Sequence, residues 1–342
     1  MAGLGLAHVR LSAVVLKVLL GLELLVVVGF AAVALTHPVG GHLPWAPLLP
    51  AHLFGPGLGG VIVLVVASQL GLETILAFGE EARSHKLLLR ASLAGVAVLG
   101  GMLTACAWAL AAVTGVDHLD QITADTVFGV LGDHLGYLVV MLAEMLLVTS
   151  ILAAMISVHQ TVARYVFGLS REQVLPAGWG RVRRGQGVPF GGSLAQSAVG
   201  LAVIVVWAVL GADPMVLFNW SAALAAVGLM TVMVTACAAA WRFFHRGGGG
   251  SESVFTRMLA PVGGMLAMGG LLAVTVANLH VLVGAGPGSA VVWLLPALVA
   301  GAGSAGLVWG VAVQRRHPGQ ILGRGEPEPL AELAHHLIDV KI

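Results

Sequence analysis

Four side chains bring charge into otherwise apolar stretches: Lys17, Glu23, Glu73 and Glu144. A charged group at the centre of a bilayer costs about 2.5–3.5 kcal/mol on insertion scales, so each is a functional candidate if these stretches cross a membrane. Lys17 and Glu23 share one stretch but, by helical periodicity, point to different faces. Lys17 is close enough to the end to snorkel to the polar boundary. Glu23 sits near the middle and must face protein or a water-filled cavity. It is either a proton- or cation-coupling carboxylate or a neutral, hydrogen-bonded structural acid. Glu144 is followed along its own stretch by Thr149, Ser150 and Ser157. Such hydroxyls either bond back to the carbonyl one turn earlier or ligate a cation. The candidate coupling set is therefore Glu23, Glu144, Ser150 and Ser157. His159 and His280 are weaker candidates, read as hydrogen-bonded structural residues. The remaining signal is Ser68-Gln69-Leu70-Gly71-Leu72-Glu73-Thr74, where five of seven residues are polar or glycine in mid-stretch. An unwound segment there would free backbone N–H and C=O groups for a ligand, which is tolerated at membrane depth only where protein or a cavity surrounds it. The other reading is a kink that glycine makes for packing.

The elements that must carry these groups follow from composition. Of 342 residues 58% are apolar and 10% charged, with a mean hydropathy of +0.97. Soluble domains carry roughly 25% charged residues, so a soluble enzyme is excluded, and a disordered chain is excluded by the same apolar excess. A net charge of +1 offers no basic face to nucleic acid. Cys106 and Cys237 are far apart in apolar runs and suggest neither a disulfide framework nor a zinc site. A helix of about 20 apolar residues spans a bilayer. Eight such runs are read, at about 11–35, 57–78, 89–114, 137–163, 194–211, 214–240, 259–283 and 290–313. They are continuous rather than alternating, which predicts an all-α, polytopic integral membrane protein and not a barrel. The runs form a single transmembrane domain.

Charge sets its orientation. Apart from Lys17, the lysines and arginines fall on alternate sides of the spans, as with Arg83, Lys86 and Arg90, then Arg164 to Arg184, then Arg242 to Arg257. The opposite loops hold Asp117, Asp120, Asp125, Asp133 and Asp213 instead. The positive-inside rule puts both termini, including a tail over 314–342, in the cytoplasm of a cell-membrane protein. The first run, with Lys17 and Glu23 inside it, is too long for a signal-peptide core. The three histidines of loop 36–56 have no compact ligand spacing and are not read as a metal site, and 115–136, with His118 and His134, reads as a solvated loop with or without a short helix. Gly247 to Gly250 reads as a flexible linker. Asn219, Trp220 and Ser221 face a pathway or cap a packing contact. Ala302-x-x-x-Gly306-x-x-x-Gly310 permits close helix packing, internally or in a homodimer. No P-loop, zinc-protease or Ser-His-Asp pattern is present, so no enzyme activity and no cofactor are expected.

Two stretches resemble the amino acid–polyamine–organocation superfamily of permeases. One is Gly71-Leu72-Glu73, followed by Glu80-Glu81-Ala82-Arg83 and Arg90-Ala91, which looks like the family's sixth helix and the loop after it. The family usually has an aromatic at Leu72, Asn-Pro at Ser84-His85 and proline at Leu89. The other is Arg164-x-x-x-Gly168-x-x-Arg171-Glu172-x-x-Leu175-Pro176, similar to the cytoplasmic loop after the eighth helix, with Glu172 for the usual Asp and Gln173 for the usual Gly. The resemblance covers about residues 10–320. It implies the C-terminal two-thirds of an inverted-repeat transporter lacking the first four helices. The first run would be the family's fifth helix, the next five its second repeat, and the last two its peripheral pair. It further implies that Ser68, Gln69, Leu70, Gly71, Leu72 and Glu73 form half of a substrate site. Glu23 would stand near a position where some relatives carry a lysine in place of a sodium ion, with Ser150 and Ser157 nearby. Arg164, Arg171, Glu172 and Pro176 would form the cytoplasmic loop motif. The expected partners are a small-molecule substrate (an amino acid or amine), the lipid bilayer, and a second copy or a partner supplying the missing helices. The expected activity is proton- or cation-coupled secondary transport. The alternative is a truncated, non-transporting remnant or an interaction subunit.

Overall fold

The computed structural model describes residues 9–316 apart from 53, 56, 79–83, 182–189 and 249–251. In chain order its helices are α1 (Val9–Thr36), α2 (Leu58–Ser68), α3 (His85–Thr114), α4 (Ala124–Leu135), α5 (Tyr137–Arg171), α6 (Phe190–Val209), α7 (Pro214–His245), α8 (Ala260–Ala277), α9 (Leu279–Val283) and α10 (Ala290–Arg316). No strand occurs among the described residues. Among the described residues, eight helical segments are long and apolar enough to cross a membrane, from Lys17–Thr36 to Ala290–Arg315. The protein is a polytopic, all-helical membrane protein.

Side-chain chemistry at the ends sets where helices begin. Ser84 Oγ accepts the Leu87 N–H at 3.2 Å and starts α3. Thr126 Oγ1 accepts the Thr123 N–H at 3.0 Å at the start of α4. Asp213 Oδ1 accepts the Met215 N–H at 2.8 Å, with Pro214 in the first turn of α7, where its missing N–H costs nothing. Gly136, at φ 87°, separates α4 from α5 by a turn that a side chain would strain.

The chain packs as two units. The described parts of Met1–Leu53 and Gly71–Leu201 form one, and those of Phe54–Leu70 and Ala202–Arg316 form the other. The division falls between Leu70 and Gly71 and again inside α6. The core of the first unit joins Phe30 and Ala34 of α1, Ala109 of α3, Leu131 of α4 and Ala143 of α5. The core of the second joins Ala223 and Val227 of α7, Leu279 and Val283 of α9, and Val292 and Leu295 of α10. Alanines at these crossings let backbones approach closely. Large apolar side chains such as Val209 and Leu307 point outward, as a surface facing lipid tails requires.

Three of the apolar runs differ from the sequence reading. The run over 57–78 is two elements, α2 and a 3₁₀ segment Leu72–Phe78. The run expected to end near 163 continues as α5 to Arg171, because Tyr165, Val166, Phe167 and Leu169 prolong its apolar pattern and charge alone does not stop a helix. The run over 259–283 breaks at Asn278, whose Nδ2 donates to Val274 O at 2.9 Å and whose amide lies against Gly59. A Cβ on Gly59 would come within 2.5 Å of that amide, so glycine is what admits α2 there. The loop over 115–136 is ordered as a 3₁₀ segment Val116–Gln121 followed by α4.

Candidate functional site

The polar run Ser68–Thr74 interrupts helical structure. Ser68 ends α2 with its Oγ donating to Val65 O at 2.8 Å. Gln69 and Leu70 close the last turn by donating to Val66 O and Ala67 O, both at 3.2 Å. Gly71 then takes φ 110°, outside what a side chain readily allows. From there the chain folds onto itself. Gly71 N–H donates to Glu73 Oε2 at 2.7 Å, and Thr74 Oγ1 donates to Gly71 O at 2.6 Å. Among the described residues no backbone group bonds the carbonyls of Ser68, Gln69 and Leu70. The segment therefore has free hydrogen-bonding capacity and a half-buried carboxylate held over its own turn. The 3₁₀ segment after it packs against α3 and α5. Gly95 of α3 lies beneath Leu72 and Ile75 at the first of these contacts.

α5 also carries the second group. Ser150 Oγ donates to Glu23 Oε2 at 3.1 Å, linking α5 to α1 within the first unit. Both residues are half-buried. Ser157 lies two turns further along the same face of α5, roughly 10 Å away by helical rise, and is exposed. Glu144 is exposed and, by helical periodicity, turned to another face. The fold thus joins Glu23 and Ser150 and leaves Glu144 apart. Thr149 Oγ1 bonds back to Leu146 O at 2.9 Å. Lys17 is exposed.

His159 is buried and shares a 2.7 Å hydrogen bond between its Nε2 and Ser193 Oγ of α6. Gly192 makes the approach possible, since a Cβ there would meet Ala163 O at 2.6 Å. Ser193 was not singled out from sequence. Its signal was the small-residue stretch Gly191-Gly192-Ser193, one turn before Gln196 and Ser197. Gln196 Oε1 and Ser197 Oγ are buried without a hydrogen-bond partner among the described residues. In the second unit Trp220 packs on the core and edge-on to Trp207, with ring centroids 5.4 Å apart. His280 falls in α9, and the small-residue positions Ala302 and Gly306 are exposed.

The arginine motif begins on the helix rather than in a loop. Arg164 and Arg171 belong to α5, and the Arg171 guanidinium stacks over Phe167 at 5.6 Å. Glu172 caps the helix, its N–H donating to Gly168 O at 3.1 Å. Gln173 turns left-handed at φ 60° and lets Val174 and Leu175 donate back to Leu169 O, at 2.9 and 3.2 Å. Pro176 then leads into the 3₁₀ segment Ala177–Gly180, which packs back on α5. A left-handed position after a helix suits glycine. Gln173→Gly is therefore expected to stabilise the protein by about 0.5–1 kcal/mol net of glycine's extra unfolded freedom. A thermal melt in detergent with an unchanged or lower Tm refutes this. Glu80, Glu81 and Arg83, from the other motif, lie outside the described residues.

Among the described residues, eight apolar helical segments, one of them broken at a polar turn and two joined by a carboxylate–hydroxyl contact, define a multi-pass membrane protein. The family model for amino acid permeases matches residues 4–299. The chain belongs to the amino acid permease family, in agreement with the superfamily resemblance of its motifs. Its class is that of a transporter of amino acids rather than of an enzyme. No curated protein and no solved structure matches it.

Proposed function

We propose that the protein is a secondary active transporter that carries an amino acid or a related amine across the cell membrane, coupled to a proton or another cation, with both termini cytoplasmic. The observation that carries this reading is the polar interruption after α2, in a run otherwise apolar enough to span a bilayer. Broken helices offer substrate their unpaired backbone and helix-end dipoles. In this reading Ser68, Gln69, Leu70, Gly71, Leu72 and Glu73 form the substrate-binding segment. An amino acid brings an ammonium group that suits a carboxylate such as that of Glu73. Glu23, hydrogen-bonded to Ser150, is the coupling group, with Ser157 and Glu144 further along α5. A second copy, or a partner supplying further helices, belongs to the same proposal, with the exposed Ala302–Gly306 face as one contact.

The test is uptake into proteoliposomes holding the purified chain, with radiolabelled amino acids and amines supplied under an imposed pH gradient or cation gradient. Accumulation of one substrate class, lost when the gradient is collapsed, is the expected result. Counts equal to protein-free vesicles for every substrate and gradient overturn the reading and favour the interaction-subunit alternative.

A further inference from the structure

Two histidines that are remote in sequence meet at the ends of α1 and α4. His37 follows the last residue of α1, and His134 lies in the last turn of α4. Their ring centroids are 4.4 Å apart with the planes tilted by 49°. The buried core fixes this meeting. Ala34 is fully buried and Leu131 is 1% exposed, and each stands three residues before its histidine, one turn below on the same face. Gly29 of α1 packs against Leu135 of α4 in the same seam. The imidazoles are thus held by helices that are already docked.

The hydrogen bonds decide which nitrogen is free. His37 Nδ1 lies 3.1 Å from Val33 O and 3.1 Å from Thr36 Oγ1. His134 Nδ1 lies 3.0 Å from Val130 O. A backbone carbonyl can only accept, so Nδ1 carries the hydrogen in both rings and Nε2 of each neutral ring keeps its lone pair. An Nδ1–H bonded to a carbonyl, with Nε2 left open, is the arrangement that orients metal-ligating histidine. Both side chains are exposed, which gives an ion access.

We propose that His37 and His134 form a two-imidazole site for Zn2+, each ligating through Nε2. With Zn–N bonds of about 2.0–2.1 Å and tetrahedral angles, ring centroids sit roughly 5 Å apart, close to the 4.4 Å seen here, and ligation requires both rings to turn until their Nε2 atoms face one ion. Among the described residues no group of three or more His, Cys, Asp or Glu side chains that could hold a metal occurs, so water completes the shell. Each histidine-bearing loop looks unfit for metal when read by itself. The fold makes the site by taking one ligand from each.

The test uses the purified full chain, without a histidine tag and with His335→Ala and His336→Ala in the tail to remove a competing pair. Zn2+ is titrated calorimetrically and Tm is followed in parallel, with Mg2+ as the control cation. One Zn2+ per chain and a raised Tm are expected, because the ion ties α1 to α4 and binds only the folded form. His37→Ala and His134→Ala should each weaken binding by about tenfold or more, whereas His42→Ala leaves it unchanged. Each variant's Tm without Zn2+ should match the parent, showing an intact fold. His37→Gln and His134→Gln, which keep a side-chain donor, serve if an alanine variant unfolds. No Zn2+ binding in the parent, or binding that survives both substitutions, overturns the site. These outcomes are independent of whether the chain transports.

Discussion

Gly71→Val should remove substrate uptake, by tenfold or more, while the protein still inserts and accumulates in the membrane. Gly71 adopts φ 110°, and nothing lies within 4 Å of where its Cβ would be. A side chain there meets no neighbour, so the penalty is confined to the backbone. Holding a β-branched residue in so sparsely populated a region costs of order 1–3 kcal/mol. The chain avoids that cost by letting the turn move, which breaks the 2.7 Å bond from Gly71 N–H to Glu73 and the 2.6 Å bond from Thr74 to Gly71 O. If this segment binds substrate, a change of 1.4 kcal/mol already means tenfold in affinity. Gly100→Ala supplies the control. Gly100 also has open space around its absent Cβ but lies inside α3, where alanine is the better helix former. That variant should transport normally and melt no lower than the parent. Uptake is measured in proteoliposomes, and membrane insertion by the amount of monodisperse protein extracted. Normal uptake by Gly71→Val removes the turn from the transport mechanism.

The break after α2 was legible because polar residues and glycine are costly in mid-membrane, so five in a row of seven had to be explained. What the turn does with its own groups was not legible. The closure of Glu73 onto Gly71 N–H depends on one backbone dihedral that the residue types permit but do not dictate. The eight spans were readable from length and hydropathy, since lipid imposes both. Their ends were less so: α5 passes Arg164 and runs to Arg171, because a helix end is set by capping and not by the first charge. The Gln173 position shows the converse. A family preference for glycine at that place acquires its reason once φ 60° is known.

Of the long-range pairs, the meeting of Glu23 with Ser150 was implied only by the family resemblance, and that of His159 with Ser193 was hidden. Nothing in the spacing of Glu23 and Ser150, or of His159 and Ser193, states that they touch. Helical periodicity fixes which face of its own helix a residue occupies, whereas the pairing of faces is decided by small residues such as Ala34, Ala109 and Ala143 in the shared core. Glu144 shows the limit from the other side. It shares α5 with Ser150, yet the six-residue offset turns it to a different face, so it takes no part in the Glu23–Ser150 contact.

Glu23→Gln should separate coupling from binding. The amide still accepts the Ser150 hydroxyl, now 3.1 Å from Glu23 Oε2, and fills the same volume, so the α1–α5 contact survives. What it loses is the carboxylate's ability to take up and release a proton or to neutralise a cation. If Glu23 couples, uptake driven by the ion gradient should fall by tenfold or more. Exchange of labelled for unlabelled substrate, which needs no net ion movement, should persist. Ser150→Ala acts differently. It removes the hydrogen bond that joins α5 to α1, worth about 0.5–1.5 kcal/mol net, and should lower Tm. The double variant then decides how the two residues are connected. If the hydroxyl works only through the carboxylate, Ser150→Ala added to Glu23→Gln has little further effect on uptake, and the free energies are strongly non-additive. A Glu23→Gln protein that accumulates substrate as the parent does at every pH makes the carboxylate a structural acid, and coupling must then be sought at another residue.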